Sequence, residues 1–190
     1  MIINNNHTSN VESVGHIERN KVSIDTKNVN FITQLLTTKL YSTPIESFIR
    51  EIVANAVDAH KEANNSEPVL ISVRTGVDNI FVEIRDYGTG LSPERFNLIY
   101  KNIGSSTKRD SNDYIGAFGI GRFAPLSCSN VVTINNYYDG TKYTYLMFLD
   151  NTELHIDCIS KVPTTEHNGL EVSVTLYKGM STMTSITEGL

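Results

Sequence analysis

Several features that mark other classes of protein are missing from this chain of 190 residues. Its two cysteines, Cys128 and Cys158, provide neither a disulfide framework nor the spacing of a zinc site, which predicts a reducing compartment. No apolar stretch reaches the length of about 18 residues that a membrane-spanning helix needs. Residues 1–10 lack the basic start and apolar run of a signal peptide. We therefore expect a cytoplasmic protein without a transmembrane segment.

Positive charge is also scarce. The chain has 16 Lys and Arg against 21 Asp and Glu, a net charge of −5, and no run of Lys and Arg exceeds two residues. Nucleic acid is therefore not an expected partner of this domain. The apolar share of 39% and the charged share of 19% are ordinary for a soluble globular protein. The length predicts a single domain over 1–190, with the polar residues 1–10 disordered.

Helical patterns dominate the first two-thirds of the chain, and strand patterns dominate the last third. Thr43-Pro44-Ile45-Glu46 is a capping-box pattern with proline at the first helical position, followed by an apolar stripe at helical spacing. Asp139-Gly140 is the strongest hairpin signal. Because no βαβ rhythm is present, the order favours an α+β two-layer sandwich. Strands are predicted at 69–75, 79–86, 131–138, 141–150, 153–160 and 170–177.

The helix that follows Pro44 carries a second, polar stripe. Glu51, Asn55, Asp58 and Glu62 fall within about 60° of one another at about 100° per residue, apart from the apolar stripe. A carboxylate can activate water, and an amide oxygen suits a hard cation. Acidic residues on a helix more often face water, so a solvated surface is the alternative interpretation of this stripe taken alone.

Asp86 ends the predicted strand 79–86. Alternation places its side chain on the same face as the apolar residues of that strand, towards the helical layer, where a carboxylate needs a hydrogen-bond donor. An exocyclic amine of a ligand is one such donor. Gly88 and Gly90 follow at once, in a turn where backbone can approach a ligand closely.

The glycine motif over 116–121 reads G-x-x-G-x-G, which is neither the Rossmann order nor a Walker A loop. It is either a tight turn before a helix or a set of backbone N–H groups that bind phosphate. The polar stretch 104–114 that precedes it is typical of a mobile functional loop. An acid with an amide, a strand-end carboxylate and a phosphate-binding backbone are the three elements that a purine nucleotide with Mg²⁺ needs.

The ordered motifs E-x-x-x-N-x-x-D-A (51–59), D-x-G-x-G (86–90) and G-x-x-G-x-G (116–121) resemble the GHKL ATPase superfamily. This superfamily includes type II topoisomerases, a heat-shock chaperone, MutL-type repair proteins and histidine kinases. The resemblance implies the Bergerat fold, a two-layer α/β sandwich with a mostly antiparallel mixed sheet and helices on one face. It also implies Mg²⁺-dependent ATP binding and slow ATP hydrolysis, with ATP ordering a lid and gating a homodimer or a protein partner.

The similarity extends to the N-terminal ATPase domain of phage rIIA-type lysis-control proteins. It is carried by "LYSTPIESFIREIVANAVDAH", "SSTKRDSNDYIGAFGIGRFAPLS" and "NGLEVSV". This second resemblance implies a phage protein in the host cytoplasm that takes part in the control of host lysis. Peripheral association with a membrane remains compatible with it.

Carried over position by position, the superfamily resemblance implies a role for each motif residue. Glu51 matches the general base for the attacking water, and Asn55 matches the Mg²⁺ ligand. Asp58 and Ala59 match positions around the ribose and adenine, and Asp86 matches the acceptor of the adenine amine. The remaining ATP-binding residues are Gly88 and Gly90 in the adenine wall, Ser105, Ser106, Thr107 and Lys108 in the lid, and Gly116, Ala117, Phe118, Gly119, Ile120 and Gly121 in the phosphate loop.

Two departures from the family pattern favour binding over brisk hydrolysis. Gly169 is followed by Leu170, where the family commonly has Gly-Thr, and no second domain is seen to supply a phosphate-contacting Lys or Arg. The alternatives are an ATP-binding pseudo-enzyme, an interaction module, or a protein kinase of the histidine or anti-sigma type. His60 is interpreted as structural, and Arg122 as either a phosphate contact or a surface residue.

Overall fold

The computed structural model describes residues 43–101, 121–150 and 153–177. Some predictions concern residues outside these ranges. They are the disorder of residues 1–10, the lid residues Ser105, Ser106, Thr107 and Lys108, and the glycine-motif residues Gly116, Ala117, Phe118, Gly119 and Ile120.

Six strands form one sheet in the order β1-β2-β6-β3-β4-β5. Every pairing among these described strands is antiparallel, so no parallel pair of the implied mixed sheet is seen in this part of the chain. The predicted α+β class is confirmed. The strands are β1 (Leu70–Thr75), β2 (Asn79–Arg85), β3 (Val131–Tyr138), β4 (Thr141–Asp150), β5 (Glu153–Pro163) and β6 (Gly169–Tyr177).

One face of the sheet is apolar because the strands alternate in register. Val82 pairs with Val174, which pairs with Val132, then Met147, then Ile156, and each of these five side chains is almost fully buried. Their alignment gives a continuous apolar band across the sheet, on which the described helices pack. The opposite face carries the alternate, more exposed residues.

Helix α1 (Pro44–Ala63) is the long helix of this layer. The predicted start at Pro44 is confirmed, but the predicted capping box is wrong. Thr43 makes no side-chain capping bond, although its carbonyl oxygen accepts the Ser47 N–H at 3.0 Å as the first bond of the helix. The apolar stripe is buried in the core through Ile45, Phe48, Ile49 and Ile52, and Asn64 ends the helix in the left-handed conformation.

Two shorter helices in the described part of the chain belong to the same layer. Helix α2 (Pro93–Lys101) presents Phe96, which stacks on Tyr145 of β4 at 3.7 Å and on Tyr100 at 4.4 Å between ring centroids. The predicted helix after the glycine motif is a 3₁₀ helix over Gly121–Ser127, and it packs mainly on α1. Among the helices that the structure describes, none is both long enough and apolar enough to span a membrane.

The predicted hairpin is confirmed, since Asp139 and Gly140 join β3 to β4 with φ of 49° and 69°. Strand β5 continues to Pro163, three residues beyond the predicted end at 160. This extra length pairs with the start of β4, past a register shift at Thr144 and Tyr145 that the period-two pattern did not indicate.

A buried asparagine anchors the turn that follows β2. Asn136 on β3 is fully buried, and its Nδ2 donates to the Leu91 carbonyl at 2.7 Å, while its Oδ1 accepts the Leu91 N–H at 3.0 Å. This side chain therefore pairs with Leu91 as a neighbouring strand would, and it fixes the end of the 86–91 segment against the sheet.

Asn136→Ala should lower the free energy of unfolding by at least about 1–3 kcal/mol, because it leaves the Leu91 N–H and C=O buried without this partner. Urea denaturation measures the loss. Asn97→Ala, at an exposed position of α2, is the control and should stay within about 0.5 kcal/mol of wild type. Equal stability of the two variants would show that the Asn136 clamp contributes nothing.

Candidate functional site

Asp86 lies at the end of β2 with only 6% of its surface exposed. Its Oδ1 accepts the Gly88 N–H at 2.9 Å and the Leu170 N–H at 3.1 Å. Burial raises the pKa of this carboxyl, and the two backbone N–H donors oppose the rise, followed by the positive charge of Arg85. The expectation that this carboxylate needs donors is met by the protein backbone, and both donors use the same oxygen.

Leu170 contacts Asp86 through its backbone on two sides. The Asp86 N–H donates to the Leu170 carbonyl at 2.8 Å, and the Leu170 N–H returns a bond to the Asp86 side chain. The backbone of Leu170 therefore holds both ends of Asp86, at the position where the family commonly has threonine. Because backbone groups do this work, the side chain at 170 is not needed to orient the carboxylate.

The turn after Asp86 is tied to the C-terminal end of α1. The Tyr87 N–H donates to His60 Nε2 at 2.7 Å, and Asn65 Nδ2 donates to the Tyr87 carbonyl at 2.8 Å. His60 is buried and accepts at Nε2, so this nitrogen carries no proton. The structural interpretation of His60 is confirmed, with a specific partner.

The glycines of this turn are required by close packing. A Cβ at Gly88 would lie 2.8 Å from the Ala59 Cβ and 3.0 Å from the Ala59 carbonyl oxygen. A Cβ at Gly90, where φ is +66°, would overlap the Tyr137 carbonyl oxygen. The turn therefore packs closely against Ala59 of α1 on one side and against β3 on the other.

Glu51 lies at the other end of the polar stripe of α1. Its carboxylate rests directly on Gly121, where an added Cβ would overlap Glu51 Oε2. The Glu51 side chain is 29% exposed, and its Oε1 is 4.0 Å from Arg50 Nε. Eight residues separate Glu51 from Ala59, about 12 Å along the helix at 1.5 Å per residue. The stripe thus extends from the end of the glycine motif to the Asp86 turn.

The solvated alternative for this stripe is wrong at Asp58, whose surface is completely buried. Asn55 is half-buried between Glu51 and Asp58. Further along the helix the stripe does reach water, because Glu62 is exposed and its Oε1 accepts a bond from Arg95 Nη2 at 2.6 Å. The polar face of α1 is therefore partly exposed at Glu51 and Asn55, buried at Asp58 and exposed again at Glu62.

The interpretation of Arg122 as a surface residue is wrong. Arg122 is 9% exposed, and its guanidinium lies 4.8 Å from the Phe123 ring centroid and 5.8 Å from that of Tyr100. Burial lowers the pKa of Arg122 to about 10 and raises that of the Tyr100 hydroxyl to about 12. A single sequence gives no signal that distinguishes a buried arginine packed on aromatic rings from an arginine exposed at the surface.

Sequence reasoning also missed Arg85 and Asn136, which contact the 86–91 segment from the sheet. A polar residue inside an apolar alternation was the available signal at Asn136. Among the described residues, no group of three or more His, Cys, Asp and Glu side chains is arranged to hold a metal ion. A Mg²⁺ ion that is shared with a nucleotide needs only one or two protein ligands, so Asn55 stays a prediction for that role.

Comparison with known families identifies the class of protein. Residues 41–178 match the family of "Histidine kinase-, DNA gyrase B-, and HSP90-like ATPase" domains. This range is well over half of the chain, and the chain belongs to that family. The superfamily resemblance of the three motifs is thereby confirmed, while the rIIA-type resemblance stays a prediction.

The individual relatives include bacterial chaperone proteins. The chain is 31% identical over 140 residues to the chaperone protein HtpG of Rickettsia typhi, covering 62% of this chain and 22% of that protein. It is 28% identical over 177 residues to HtpG of Rickettsia prowazekii, covering 81% and 28%. An uncharacterized protein of Mycoplasma pneumoniae is 40% identical over 77 residues, covering 40% and 29%. The chain thus spans less than a third of the length of each of these relatives.

Gly169→Ala should destabilise the protein more than Gly140→Ala. Both glycines have positive φ, 138° and 69°, so both variants incur backbone strain of about 1–3 kcal/mol. Only at Gly169 does the new methyl also meet the Asp86 carbonyl and Arg85 Nη1, the latter at 2.7 Å, whereas Gly140 has open space around it.

Urea unfolding of the two variants measures this difference. The excess loss in Gly169→Ala reports the crowding next to Asp86 together with the larger backbone strain at φ of 138°, which lies outside the αL region that Gly140 occupies. Equal losses would contradict the close packing of Gly169 on the end of β2.

Proposed function

We propose that this chain is a Mg²⁺-dependent ATP-binding domain that hydrolyses ATP slowly. The observation that carries the proposal is the buried carboxylate of Asp86, oriented by two backbone donors in a chain of this ATPase family. Both donors bind Oδ1, and no described residue hydrogen-bonds Oδ2. We assign Oδ2 as the acceptor of the adenine amine. Treating 1–190 as a single ATP-binding domain is part of the same proposal.

The remaining contacts to the base and ribose follow from the packing of the turn. Gly88 and Gly90 form the wall beside Asp86, and their lack of side chains lets a flat ring approach the backbone. Ala59 contacts Gly88 from α1, and Asp58 lies beside it, buried. We assign Asp58 and Ala59 to the ribose and adenine side of the pocket.

The phosphate end is assigned to the opposite end of the α1 stripe. Glu51 lies against Gly121, so a carboxylate stands next to the end of the glycine motif that would bind the phosphates. In this proposal Glu51 accepts a proton from the attacking water, and Asn55 offers its amide oxygen to Mg²⁺. When bound, Mg²⁺ neutralises charge on the phosphate oxygens.

The lid and the biological output are proposed from resemblance. Ser105, Ser106, Thr107 and Lys108 would form the lid, and Gly116, Ala117, Phe118, Gly119, Ile120 and Gly121 the phosphate loop. ATP would order this region and gate a homodimer or a protein partner, as the superfamily resemblance of the three motifs implies. The rIIA-type similarity adds a role in phage control of host lysis, in the host cytoplasm.

Asp86→Asn should weaken ATP binding while the fold persists. Gly88 and Leu170 both donate to Oδ1, so the asparagine oxygen must take that place and its NH₂ must replace Oδ2. That NH₂ would then face the adenine amine, donor against donor. An unsatisfied buried group costs about 1–3 kcal/mol, or about 5- to 150-fold in Kd.

Calorimetric titration with Mg·ATP measures the change in Kd, and circular dichroism checks the fold. Asp78→Asn in the exposed β1–β2 turn is the matched control and should bind as wild type does. Wild-type affinity in Asp86→Asn would overturn the adenine assignment.

Glu51→Gln should keep ATP affinity and lose hydrolysis. The amide matches the carboxylate in size against Gly121, yet it cannot accept the proton of water, which typically costs about 10²–10⁴-fold in rate. A steady-state phosphate-release assay measures this loss. Glu62→Gln removes an exposed carboxylate from the same helix and should leave the rate unchanged.

Hydrolysis by Glu51→Gln at the wild-type rate would remove Glu51 from the role of base. Binding without phosphate release by the wild-type chain would identify an ATP-binding pseudo-enzyme instead.

A further inference from the structure

Arg85, the last residue of β2, is directed away from the helical layer and is still only 4% exposed. Alternation places it on the sheet face opposite to Ile84, in register with Leu70 on one side and Glu171 on the other. Its burial is unusual for a charged residue on this face, because long cationic side chains normally extend to water.

The guanidinium joins two segments that meet at Asp86. Arg85 Nη1 donates to the Asp86 carbonyl at 2.7 Å, and Nη2 donates to the His167 carbonyl at 2.6 Å. His167 lies three residues before Leu170, whose N–H donates to the Asp86 carboxylate at 3.1 Å. Arg85 thus fixes the backbone of Asp86 relative to the segment that supplies one of the carboxylate's two donors.

Two aromatic rings pack against the guanidinium group of Arg85. Its central carbon lies 3.9 Å from the Tyr137 ring centroid and 4.9 Å from that of Tyr87. Stacking of this kind suits a planar guanidinium, which presents two N–H groups side by side. A lysine at this position would keep the positive charge. Its ammonium group lacks the two fixed, side-by-side N–H groups with which the guanidinium bonds both carbonyls.

We infer that Arg85 is a positioning residue for the nucleotide site, which sets the Asp86 carboxylate from the opposite face of the sheet. This inference rests on the proposed function for its consequence in ATP binding. Arg85 touches no ligand in this scheme. It acts through the backbone at Asp86 and His167, and through its charge.

The charge has a measurable consequence at Asp86. The ionisable groups near this carboxyl are Arg85 on β2, His60 on α1 and Tyr100 on α2. Of these, Arg85 carries the positive charge, because His60 accepts a hydrogen bond at Nε2 and the Tyr100 hydroxyl has a pKa of about 12. The positive charge of Arg85 lowers the pKa of Asp86, against the larger rise that burial causes. Removing that charge should therefore raise the pKa of Asp86 further.

The sign for ATP binding follows from where a proton would bind. Oδ1 already accepts two N–H groups, so protonation occurs on Oδ2 and turns the proposed acceptor of the adenine amine into a donor. Binding is then lost as the pH falls through the pKa of Asp86. A variant with a higher Asp86 pKa loses binding at a higher pH.

Three variants separate charge from geometry. Arg85→Met removes both, so the pH at which Asp86 titrates and the acidic limit of ATP binding should both move upward. Arg85→Lys keeps the charge and loses the fork, so titration should stay close to wild type while the Kd for ATP rises. Arg74→Met removes an exposed arginine that is paired with Glu83 elsewhere in the sheet, and should change neither.

The experiment titrates the Asp86 side-chain carboxyl carbon by NMR, assigned as the resonance that Asp86→Asn lacks, beside calorimetry with Mg·ATP across pH. Thermal melting selects a pH range in which each variant is folded. An upward shift of the carboxyl midpoint in Arg85→Met alone is the expected result, and an unchanged midpoint there would overturn the inference.

The two proposals fail in different ways in this design. Absence of ATP binding by wild type at every pH, with the midpoint still shifted in Arg85→Met, would overturn the nucleotide site but support the action of Arg85 on Asp86. Normal ATP binding with unchanged midpoint and Kd in both Arg85 variants would leave the nucleotide site standing without this positioning residue.

Discussion

The structure around the site depends on one constraint, which is the burial of a carboxylate at the end of β2. A buried carboxylate is costly unless hydrogen bonds compensate for the lost water. For Asp86 they come from the backbone of Gly88 and of Leu170. These donors reach it only if the turn after β2 and the start of β6 are both held in place, and much of the surrounding packing does so.

The anchors of that turn come from every side. His60 and Asn65 hold Tyr87 from the end of α1, Asn136 holds Leu91 from β3, and Arg85 ties the strand to the 167–169 segment. Such anchoring leaves little freedom for the carboxylate, which is the condition for a preorganised acceptor. The glycines follow from the same crowding, because the backbones approach too closely for a Cβ.

Much of this was predictable because it depends on local patterns. Period-two alternation placed Asp86 on the core side of β2, Pro44 marked the start of α1, and Asp139-Gly140 marked a hairpin. The capping box was predicted from residue types alone, and the Thr43 side chain makes no capping bond. The end of β5 was missed because its extra residues are stabilised by pairing with β4.

The sequence by itself determined the α+β class, the ordered motifs that place the chain in its ATPase family, and the stripe of Glu51, Asn55 and Asp58 on one side of α1. These features follow from residue spacing within single elements. Only the tertiary structure decided that Asp58 and Arg122 are buried, that Glu51 rests on Gly121, and that Arg85 holds Asp86 from behind the sheet. Burial and contacts between distant segments depend on which elements pack together, and no local pattern encodes that.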